Sequence, residues 1–372
     1  MKYSIVIPMF NEEDWVENVH NTLSKFIAEN NLDAQLIFAT DGCTDNTVNI
    51  IKKIQNKYPE LINYNHPEKL GRGRALSYVI KNVDTPYVIY MDSDLATDLK
   101  YLLVLMNELE NGADIVTGSR LMKGSICKRR KKRDFVSKIY NKLCRILFNS
   151  KIYDHQCGFK GFRRDSILPW IDEVKNTHWS WDTEILIRGQ RKGLIIKEIP
   201  IAWADPRTDK QSKVRIWHDA KEMGKNLIKL RYDLFSETMQ QLIKYLMVGI
   251  ANTLITFLTL FIFDLLLIRG NWSYPIAYIC GMINGYLMNK FFTFKKKEFT
   301  KKTPLEMFLF VCVEVFGIWY YSMISIFFES KFNLIWPSFN FNYLLAAMIA
   351  TIINFLTRFP LTKFIVFRSK KK

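Results

Sequence analysis

Four long apolar stretches follow one another in the last third of the chain, at residues 242–268, 274–294, 307–328 and 343–367. Each is close to or longer than the roughly 20 residues that a helix needs to cross a bilayer core of about 30 Å. Successive runs of this length rarely suit the core of a soluble domain. The sequence therefore predicts four membrane-spanning helices after residue 240.

Basic residues are distributed unevenly over the segments that join these stretches. Only Arg269 and Lys331 lie in the first and third links. The second link and the C-terminal tail hold basic clusters: Lys295, Lys296, Lys297, Lys301, Lys302, Arg368, Lys370, Lys371 and Lys372. Basic loops stay on the cytosolic side of a membrane. We therefore expect a multi-pass protein of the cell (plasma) membrane, with its N-terminal domain and its C-terminus in the cytosol.

The first 240 residues have the pattern of a soluble domain. Strand-like runs lie at 3–7, 35–40, 87–91, 115–117 and 194–200, and helical patterns lie at 15–29, 47–57, 75–82 and 101–109. Such alternation predicts an α/β domain with a mixed, mostly parallel sheet. The six cysteines are scattered without C-x-x-C spacing, which argues against a zinc site and a disulfide scaffold. We predict a soluble domain at 1–215, amphipathic juxtamembrane helices at 216–240 and a membrane domain at 241–372.

Polar residues directly follow three of the predicted strands: Asn11-Glu12, Asp41-Gly42 and Asp92-Ser93-Asp94. Ligands of parallel α/β sheets bind outside the carboxyl ends of the strands. Asp92 and Asp94 would repel each other unless a cation lay between them, and their oxygens suit a hard divalent ion. A solvated turn is the structural alternative. A phosphohydrolase with an aspartyl nucleophile is a third interpretation, but Ala96 stands where it would need Thr or Val.

A loop rich in glycine and arginine, Leu70-Gly71-Arg72-Gly73-Arg74-Ala75, precedes a predicted helix. Its glycines would let the backbone approach a phosphate, and Arg72 or Arg74 would neutralise the charge. Leu76 stands where a dinucleotide-binding loop needs its third glycine. The pattern therefore favours a phosphate contact over dinucleotide binding.

The chain has a formal net charge of +17, and residues 128–133 are all basic. Such a run is typical of a nucleic-acid contact or of a solvated surface. Because apolar spans follow, we instead expect it to lie at a lipid bilayer, with no nucleic-acid partner. Phe135, Ile139 and Leu143 continue at helical spacing, which predicts a basic amphipathic helix in the headgroup layer. Such a run could also receive the phosphorylated head of a lipid.

Taken together, five motifs resemble the polyprenyl-phosphate (dolichyl-phosphate) glycosyltransferases, inverting family 2 enzymes of the GT-A type similar to dolichyl-phosphate mannose and glucose synthases. The motifs are Ile5 to Glu12, Thr40 to Asp45, Asp92-Ser93-Asp94, Gly118-Ser119-Arg120 and Cys157-Gly158-Phe159-Lys160. The membrane part resembles the four-span GtrA-like module in residues 244–253 and around Asn289 and Asn354. The resemblance implies a Rossmann-like GT-A sheet followed by a four-helix transmembrane domain.

The resemblance also implies roles for individual residues. Asp92 and Asp94 would hold Mg²⁺ or Mn²⁺ against the diphosphate of a nucleotide sugar. Arg120 would be catalytic and, with Arg133 and Lys160, would bind the acceptor phosphate. The nucleotide sugar itself would contact Pro8, Phe10, Asn11, Glu12, Asp41, Arg72, Ser93, Arg207 and Lys213. Thr40 replaces the first aspartate of the family's D-D-G motif, which weakens the expected contact with the base.

The implied activity is transfer of a hexose from UDP-glucose or GDP-mannose to dolichyl or polyprenyl phosphate, with inversion, to give a β-linked sugar on the lipid phosphate. Two segments, Leu95-Ala96-Thr97 and Cys157-Gly158-Phe159-Lys160, are closer to the glucosyl-transferring branch. The length of the lipid and the oligomeric state stay open.

The membrane domain either anchors the enzyme or presents or flips lipid. Glu314 and Arg358 lie inside predicted spans at similar depths, about 12 to 13 Å from the cytosolic ends at 1.5 Å per residue. They can therefore form an ion pair, and charges inside a membrane are candidate functional residues. The alternative function is a membrane sugar-lipid translocase with a nucleotide-binding regulatory domain.

Overall fold

The structure, a computed structural model, describes residues 1–128, 131–204, 206, 216–266, 273–296, 298–336 and 342–367, without the side chains of 131–133, 216–220 and 274. The chain divides into two compact units, Met1–Tyr232 and Asp233–Lys372. The domain boundaries expected from the sequence, near residues 215 and 240, stay a prediction.

The first unit alternates strands and helices along the chain. Its strands are β1 (Tyr3–Met9), β2 (Ala34–Asp41), β3 (Ile62–His66), β4 (Tyr87–Met91), β5 (Ile115–Ser119), β6 (Ile126–Lys128), β7 (Phe159–Arg163), β8 (Ile196–Pro200) and β9 (Ala202–Ala204). Its helices are α1 (Val16–Glu29), α2 (Thr47–Lys57), α3 (Arg72–Asn82), α4 (Lys100–Glu110), α5 (Lys131–Phe148), α6 (Arg164–Ile167), α7 (Trp181–Arg191) and α8 (Ile216–Asp233), with a 3-10 helix at Leu168–Glu173.

Seven strands form one sheet in the order β3-β2-β1-β4-β7-β5-β8. Strand β7 runs antiparallel to β4 and β5, and the other neighbouring pairs are parallel. The predicted mixed, mostly parallel sheet is therefore confirmed. The sequence did not predict β3 and β7 because polar residues interrupt both: β3 reads INYNH and β7 reads FKGFR.

Helices cover both faces of this sheet because alternate residues of a strand point to opposite faces. Ile5 of β1 packs in one apolar cluster with Leu102 of α4. Its neighbour Val6 packs in the other cluster with Val79 of α3 and Trp181 of α7. A strand that is buried on both faces has a continuous apolar sequence, and this explains why β1 and β4 could be recognised.

A second, two-stranded sheet pairs β6 with β9, and it connects two distant segments. Lys128, the first residue of the basic run, lies opposite Ala204 in the register of this sheet. The amide of Ala204 in turn donates to the carbonyl of Ala96, which follows Asp94 by two residues. Since adjacent strands lie about 4.8 Å apart, the backbone of Lys128 is roughly 10 Å from that of Ala96.

Helix α5 includes the amphipathic segment that the sequence predicts. Tyr140, Cys144 and Phe148 are buried against the domain. The opposite side carries an exposed apolar stripe, in which Phe135 and Ile146 are 66% and 67% exposed. The other members of this stripe are Ile139 and Leu143.

The second unit contains α9 (Glu237–Leu265), α10 (Ser273–Met288), α11 (Thr303–Ile335) and α12 (Asn342–Leu361), with π-helical turns at Asn289–Thr293 and Thr362–Val366. Within the described ranges, three helical segments are long and apolar enough to cross a membrane: Glu237–Leu265, Thr303–Ile335 and Asn342–Val366. The second predicted span, 274–294, instead forms a helix of 16 residues that continues as a π-helical turn. Three of the four predicted spans therefore meet the length and composition of a membrane-crossing helix.

The two helix pairs of this unit have reciprocal contacts. Lys290, in the turn after α10, donates to Thr303 Oγ1 at the start of α11 over 3.0 Å. Lys363, in the turn after α12, donates to Thr238 Oγ1 near the start of α9 over 2.7 Å. The turn that ends each helix pair thus contacts the beginning of the other pair.

Candidate functional site

The acidic pair follows β4 in a tight turn. The amide of Leu95 donates to the carbonyl of Asp92, and Leu95 has a φ of +48°, in the left-handed region. Asp94 Oδ1 accepts the amide of Ala96 at 3.2 Å, and Ser93 between the two aspartates is buried. Strained backbone of this kind is concentrated at functional sites, because the surrounding structure must hold it in place.

Gly158 makes room for the Asp92 carboxylate. Its carbonyl accepts the amide of Asp92 at 3.0 Å, just before β7 begins. A Cβ added to Gly158 would lie 1.9 Å from Asp92 Oδ2 and 2.5 Å from Oδ1. The glycine of the Cys157–Lys160 motif is therefore required by close approach to the acidic pair.

Arg72, at the start of α3, connects two acids from different parts of the fold. One terminal nitrogen donates to Asp92 Oδ1, and the other donates to Asp182 Oδ2 at the start of α7. The Trp179 ring lies 4.9 Å from the guanidinium carbon. Burial alone would lower the pKa of Arg72, but Asp182 and Asp92 together raise it above its usual value. Arg72 therefore stays charged and holds one oxygen of Asp92.

Lys160 is a buried member of the same cluster. Its ammonium lies 3.1 Å from Asp182 Oδ1 and also donates to the carbonyl of Cys157, and the side chain has no exposed surface. Burial lowers the pKa of Lys160 to about 8 and raises the pKa of Asp182 to about 6. Both groups are thus ionised at neutral pH. The structure places Lys160 beneath the site, away from any surface that an acceptor could reach.

The residues predicted after β1 are tied to the start of α2. The side chain of Asn11, which has a φ of +53°, exchanges two hydrogen bonds with Thr44. The amide of buried Glu12 donates to Thr47 Oγ1 at 2.8 Å. Phe10 has the ammonium of Lys69 over its ring at 3.7 Å. With Pro8 in β1, these residues line the ends of β1 and β2 beside the acidic turn.

Asp41 fixes the glycine-arginine loop. Its two carboxylate oxygens accept the amides of Leu70 and Gly71, each at 2.7 Å, and the side chain is buried. Gly71 has a φ of +102° and lies against the carbonyl of Thr177, so that a larger residue would be strained there. Asp41 thus sets the position from which Arg72 reaches Asp92. Its predicted contact with base or ribose stays a prediction.

Arg120 is also occupied within the protein. Its Nε and one terminal nitrogen donate to the two oxygens of Asp154 at 2.7 and 2.9 Å, and the two side chains are 7% and 0% exposed. The amide groups of Tyr153 and Asp154 are held in turn by Glu198. The structure does not bring Arg120 to an exposed surface, and its catalytic and acceptor roles stay predictions.

Three predicted site residues lie outside the described part of the structure. These are Arg207, Lys213 and, for its side chain, Arg133. Their proposed contacts with donor and acceptor therefore stay predictions.

The site offers few protein ligands for a metal. Within the described ranges, no group of three or more His, Cys, Asp and Glu side chains is placed to hold an ion. Asp92 and Asp94 supply oxygen atoms at one strand end, and the Asp92 side chain is 38% exposed. Mg²⁺ is commonly held by one or two carboxylates together with substrate phosphates and waters. The residues present fit an ion that arrives with a diphosphate.

Two family models match the chain. The family model described as "Glycosyl transferase family 2" matches residues 4–168. The family model described as "GtrA/DPMS, transmembrane domain" matches residues 244–367. The chain joins a family 2 glycosyltransferase domain to a GtrA/DPMS transmembrane domain. The resemblance that the motifs indicated is confirmed for both domains. The acidic turn, Arg72 and Gly158 lie within the matched part of the glycosyltransferase domain, and Asp182 lies beyond it.

Curated relatives are similar to more than half of the chain. Glycosyltransferase AglD of Haloferax volcanii is 34% identical over 265 residues, which are 70% of this chain and 41% of the relative. Dolichyl-phosphate beta-glucosyltransferase ALG5A of Trichomonas vaginalis is 29% identical over 210 residues, which are 54% of this chain and 65% of the relative. The chain thus spans less than two thirds of the length of either protein.

Solved structures also match part of the chain. Glucosyl-3-phosphoglycerate synthase from Mycobacterium tuberculosis, in complex with Mn²⁺, UDP and phosphoglyceric acid, is 19% identical, with a TM-score of 0.46. The match covers 62% of this chain and 76% of that structure. The same synthase in complex with UDP matches with 18% identity and a TM-score of 0.47, and the match covers 62% of this chain and 80% of that structure.

Sequence reasoning assigned no role to three residues that the structure places in the site. Gly158 stands inside the Cys157–Lys160 motif and Asp182 outside the five motifs, and the contacts that give the two residues their roles join distant segments. Lys69 sits directly before the glycine-arginine loop, and its stacking on Phe10 has no sequence signal.

Proposed function

We propose that this chain transfers a hexose from a nucleotide sugar to dolichyl phosphate or a related polyprenyl phosphate. The observation that carries the proposal is a fixed acidic pair, followed two residues later by Ala96, whose backbone lies about 10 Å from that of Lys128 at the start of the basic run. The same chain also has a membrane domain. The names of the relatives support it: one is a glycosyltransferase and the other acts on dolichyl phosphate.

The acceptor needs little activation. A phosphate monoester has a second pKa near 6, so the lipid phosphate is largely a dianion at neutral pH. A general base, which a sugar hydroxyl would require, is not needed. This agrees with the site, where Asp182 is buried and already accepts three donors.

The difficult step is to bring two anions together. Lys128 begins the basic run 128–133 and is exposed, and the pairing of β6 with β9 places it near the acidic turn. We assign the acceptor phosphate to this run, including Arg133, by charge-assisted hydrogen bonds. Arg120 and Lys160 are buried and paired with Asp154 and Asp182. Their positive charges would therefore favour the acceptor phosphate from inside the domain, without direct contact.

The donor lies at the ends of β1, β2 and β4. Phe10, Glu12 and Lys69 line the nucleotide side, and Arg72 holds Asp92 in place. Asp92 and Asp94 would hold Mg²⁺ or Mn²⁺, which supplies positive charge to stabilise the departing nucleoside diphosphate. In-line attack by the lipid phosphate then breaks the bond from the sugar to the diphosphate and forms a β-linked product with inversion.

UDP-glucose is our proposed donor, in preference to GDP-mannose. The proposal rests on Leu95-Ala96-Thr97 and Cys157-Gly158-Phe159-Lys160, and on the word glucosyltransferase in the name of the relative. We further propose a cell-membrane location with the glycosyltransferase domain and the C-terminus in the cytosol. This proposal rests only on the basic residues of the second link and of the C-terminal tail.

A second role, lipid presentation or translocation by the membrane domain, is favoured by one observation. Arg358 of α12 and Glu314 of α11 form an ion pair inside the predicted spans 343–367 and 307–328. Charges at such positions are expensive and are usually retained for function.

Incorporation of label into lipid tests the main proposal. Membranes with the full chain are given radiolabelled UDP-glucose or GDP-mannose, with Mn²⁺ or with EDTA, and the label in the organic phase is counted. We expect label from UDP-glucose with Mn²⁺, and at least a hundredfold less with EDTA or with Asp94→Asn. Asp98→Asn, an exposed acid four residues later, is the matched control and should keep wild-type transfer. No label from either donor would refute the proposal, and label from GDP-mannose alone would refute the donor.

A further inference from the structure

We propose that Asp182 is a positioning residue, which holds the Asp92 carboxylate in its metal-binding orientation through Arg72. The inference rests on the proposed function for the role of Asp92. It assigns a purpose to a buried acid that lies outside the part of the chain matched by the glycosyltransferase model.

Asp182 is saturated by internal donors. Its Oδ2 accepts from Arg72, while its Oδ1 accepts from the Tyr90 hydroxyl and lies 3.1 Å from Lys160 Nζ. Tyr90 and Lys160 are cross-strand partners on β4 and β7, so both point at the acid from one face of the sheet. With 1% of its side chain exposed, Asp182 cannot contact donor, acceptor or metal. Its effect must pass through a neighbour.

Arg72 is the neighbour that transmits the effect of Asp182 to Asp92. A guanidinium is a rigid planar fork, so fixing one terminal nitrogen fixes the direction of the other. One nitrogen is bound by Asp182, and the other meets Asp92 Oδ1. The Nε atom of Arg72 is buried and has no hydrogen-bond partner among the residues that the structure describes, so the orientation of the fork is set by the two acids.

Arg72 needs a second acid, Asp182, to keep it from binding both oxygens of Asp92. Because Arg72 is shared between the two acids, it donates one hydrogen bond to the Asp92 carboxylate, whose second oxygen faces Gly158. Without the charge of Asp182, the guanidinium is free to turn and engage Asp92 with both terminal nitrogens, as arginine and carboxylate prefer. That geometry takes both oxygens of Asp92 away from a metal. Loss of Asp182 should therefore weaken metal binding more than nucleotide binding.

The test measures binding, with Mn²⁺ and UDP as probes and the purified full chain in detergent. Calorimetry gives the affinity for Mn²⁺ in the presence of UDP and the affinity for UDP without metal. For Asp182→Asn we expect Mn²⁺ affinity to fall at least tenfold and metal-free UDP affinity to change less than threefold. In transfer assays the Mn²⁺ concentration for half-maximal rate should rise by the same factor, with most of kcat recovered at saturating Mn²⁺.

Tyr90→Phe provides a second variant, should Asp182→Asn fail to fold. It removes one hydroxyl donor to Asp182 and keeps the ring, over which the cations of Arg72 and Lys160 lie at 5.8 and 5.9 Å. Mn²⁺ affinity should fall about threefold. Asp172→Asn is the matched control, since this acid is 81% exposed and pairs with Lys81. Unchanged Mn²⁺ affinity in both test variants, or an equal loss of UDP affinity, would overturn the inference. Wild-type protein that binds Mn²⁺ and UDP but transfers no sugar to lipid would overturn the proposed function alone.

Discussion

Gly158 and the Asp92 carboxylate are packed so closely that no side chain fits between them. A Cβ at residue 158 would lie 1.9 Å from Asp92 Oδ2. The two residues are also joined by a backbone hydrogen bond of 3.0 Å, so the glycine cannot move away without disturbing the acidic turn. The relationship gives the Cys157–Lys160 motif a physical purpose beside Asp92, one of the two acids that we propose as metal ligands.

Gly158→Ala should therefore inactivate the enzyme while leaving it folded. The added methyl group must push Asp92 out of its rotamer, and a displacement of about 1 Å at reacting groups costs roughly a hundredfold in rate. Transfer of labelled sugar to lipid, measured beside the melting temperature in detergent, checks this. Gly224→Ala is the control, because a Cβ there meets no described atom within 4 Å. Near-normal transfer by Gly158→Ala would show that Asp92 need not be held where the structure places it.

The general position of the site could be predicted from the sequence, and its internal contacts could not. Continuous apolar runs revealed β1 and β4, and the polar residues after them fell at one edge of the sheet. The partners of Arg72 lie 20 and 110 residues away, and such pairings depend on how strands and helices pack. The sequence likewise named Arg120 and Lys160 as basic residues, without showing that both are buried against acids.

The exposed stripe of α5 should act in lipid capture. Phe135 and Ile146 are large apolar side chains on a helix that begins with basic residues, an arrangement typical of interfacial helices. Phe135→Asp combined with Ile146→Asp should raise the KM for a long-chain polyprenyl phosphate in vesicles about tenfold. The KM for a short, water-soluble isoprenyl phosphate should stay within twofold of wild type.

Val104→Asp is the matched control for this prediction. Val104 is a similarly placed apolar residue on α4, 43% exposed, and its substitution should change neither KM. An equal rise in KM for the long and the short acceptor in the α5 variant would mean that the stripe supports the fold and does not bind lipid.

His155 should make the glycosyltransferase domain sensitive to acid. The ring is buried, with Nδ1 2.8 Å from Asn141 Oδ1 and Nε2 2.8 Å from Ser150 Oγ. Burial lowers the pKa of His155 to about 4. The unfolded chain takes up the proton near pH 6.5, so it binds more protons than the folded state between pH 6.5 and pH 4. The contribution of His155 to stability must therefore fall as the pH drops through this window.

The expected loss from pH 7 to pH 5 is about 2 kcal/mol, or roughly 4–8 °C in melting temperature. Thermal unfolding of the full chain at both pH values measures it. His155→Gln removes the titrating group, and its melting temperature should fall less between the two pH values than that of wild type. His66→Gln, in a more exposed position, should behave as wild type does. An undiminished pH effect in His155→Gln would assign the acid sensitivity to other groups.

Arg358 and Glu314 should stabilise the membrane domain only as a pair. Arg358 packs on Gly317, where a Cβ would lie 2.5 Å from Arg358 Cδ, and its guanidinium reaches Glu314. Removing one partner leaves the other charge without compensation in apolar surroundings, which typically costs 3–5 kcal/mol. Arg358→Gln and Glu314→Gln should therefore each lower the melting temperature and the yield of folded protein.

The double variant, Arg358→Gln with Glu314→Gln, separates pairing from packing. Because two neutral amides can bond to each other, it should be more stable than either single variant, and Glu298→Gln in the exposed link should have no effect. Restored stability with normal sugar transfer would show that the ion pair serves only to stabilise the fold of the membrane domain. Restored stability with lipid product confined to one leaflet of reconstituted vesicles, where wild type distributes it over both, would instead assign these charges to lipid movement. Losses that simply add would refute the pairing itself, because independent sites, and not interacting ones, behave additively.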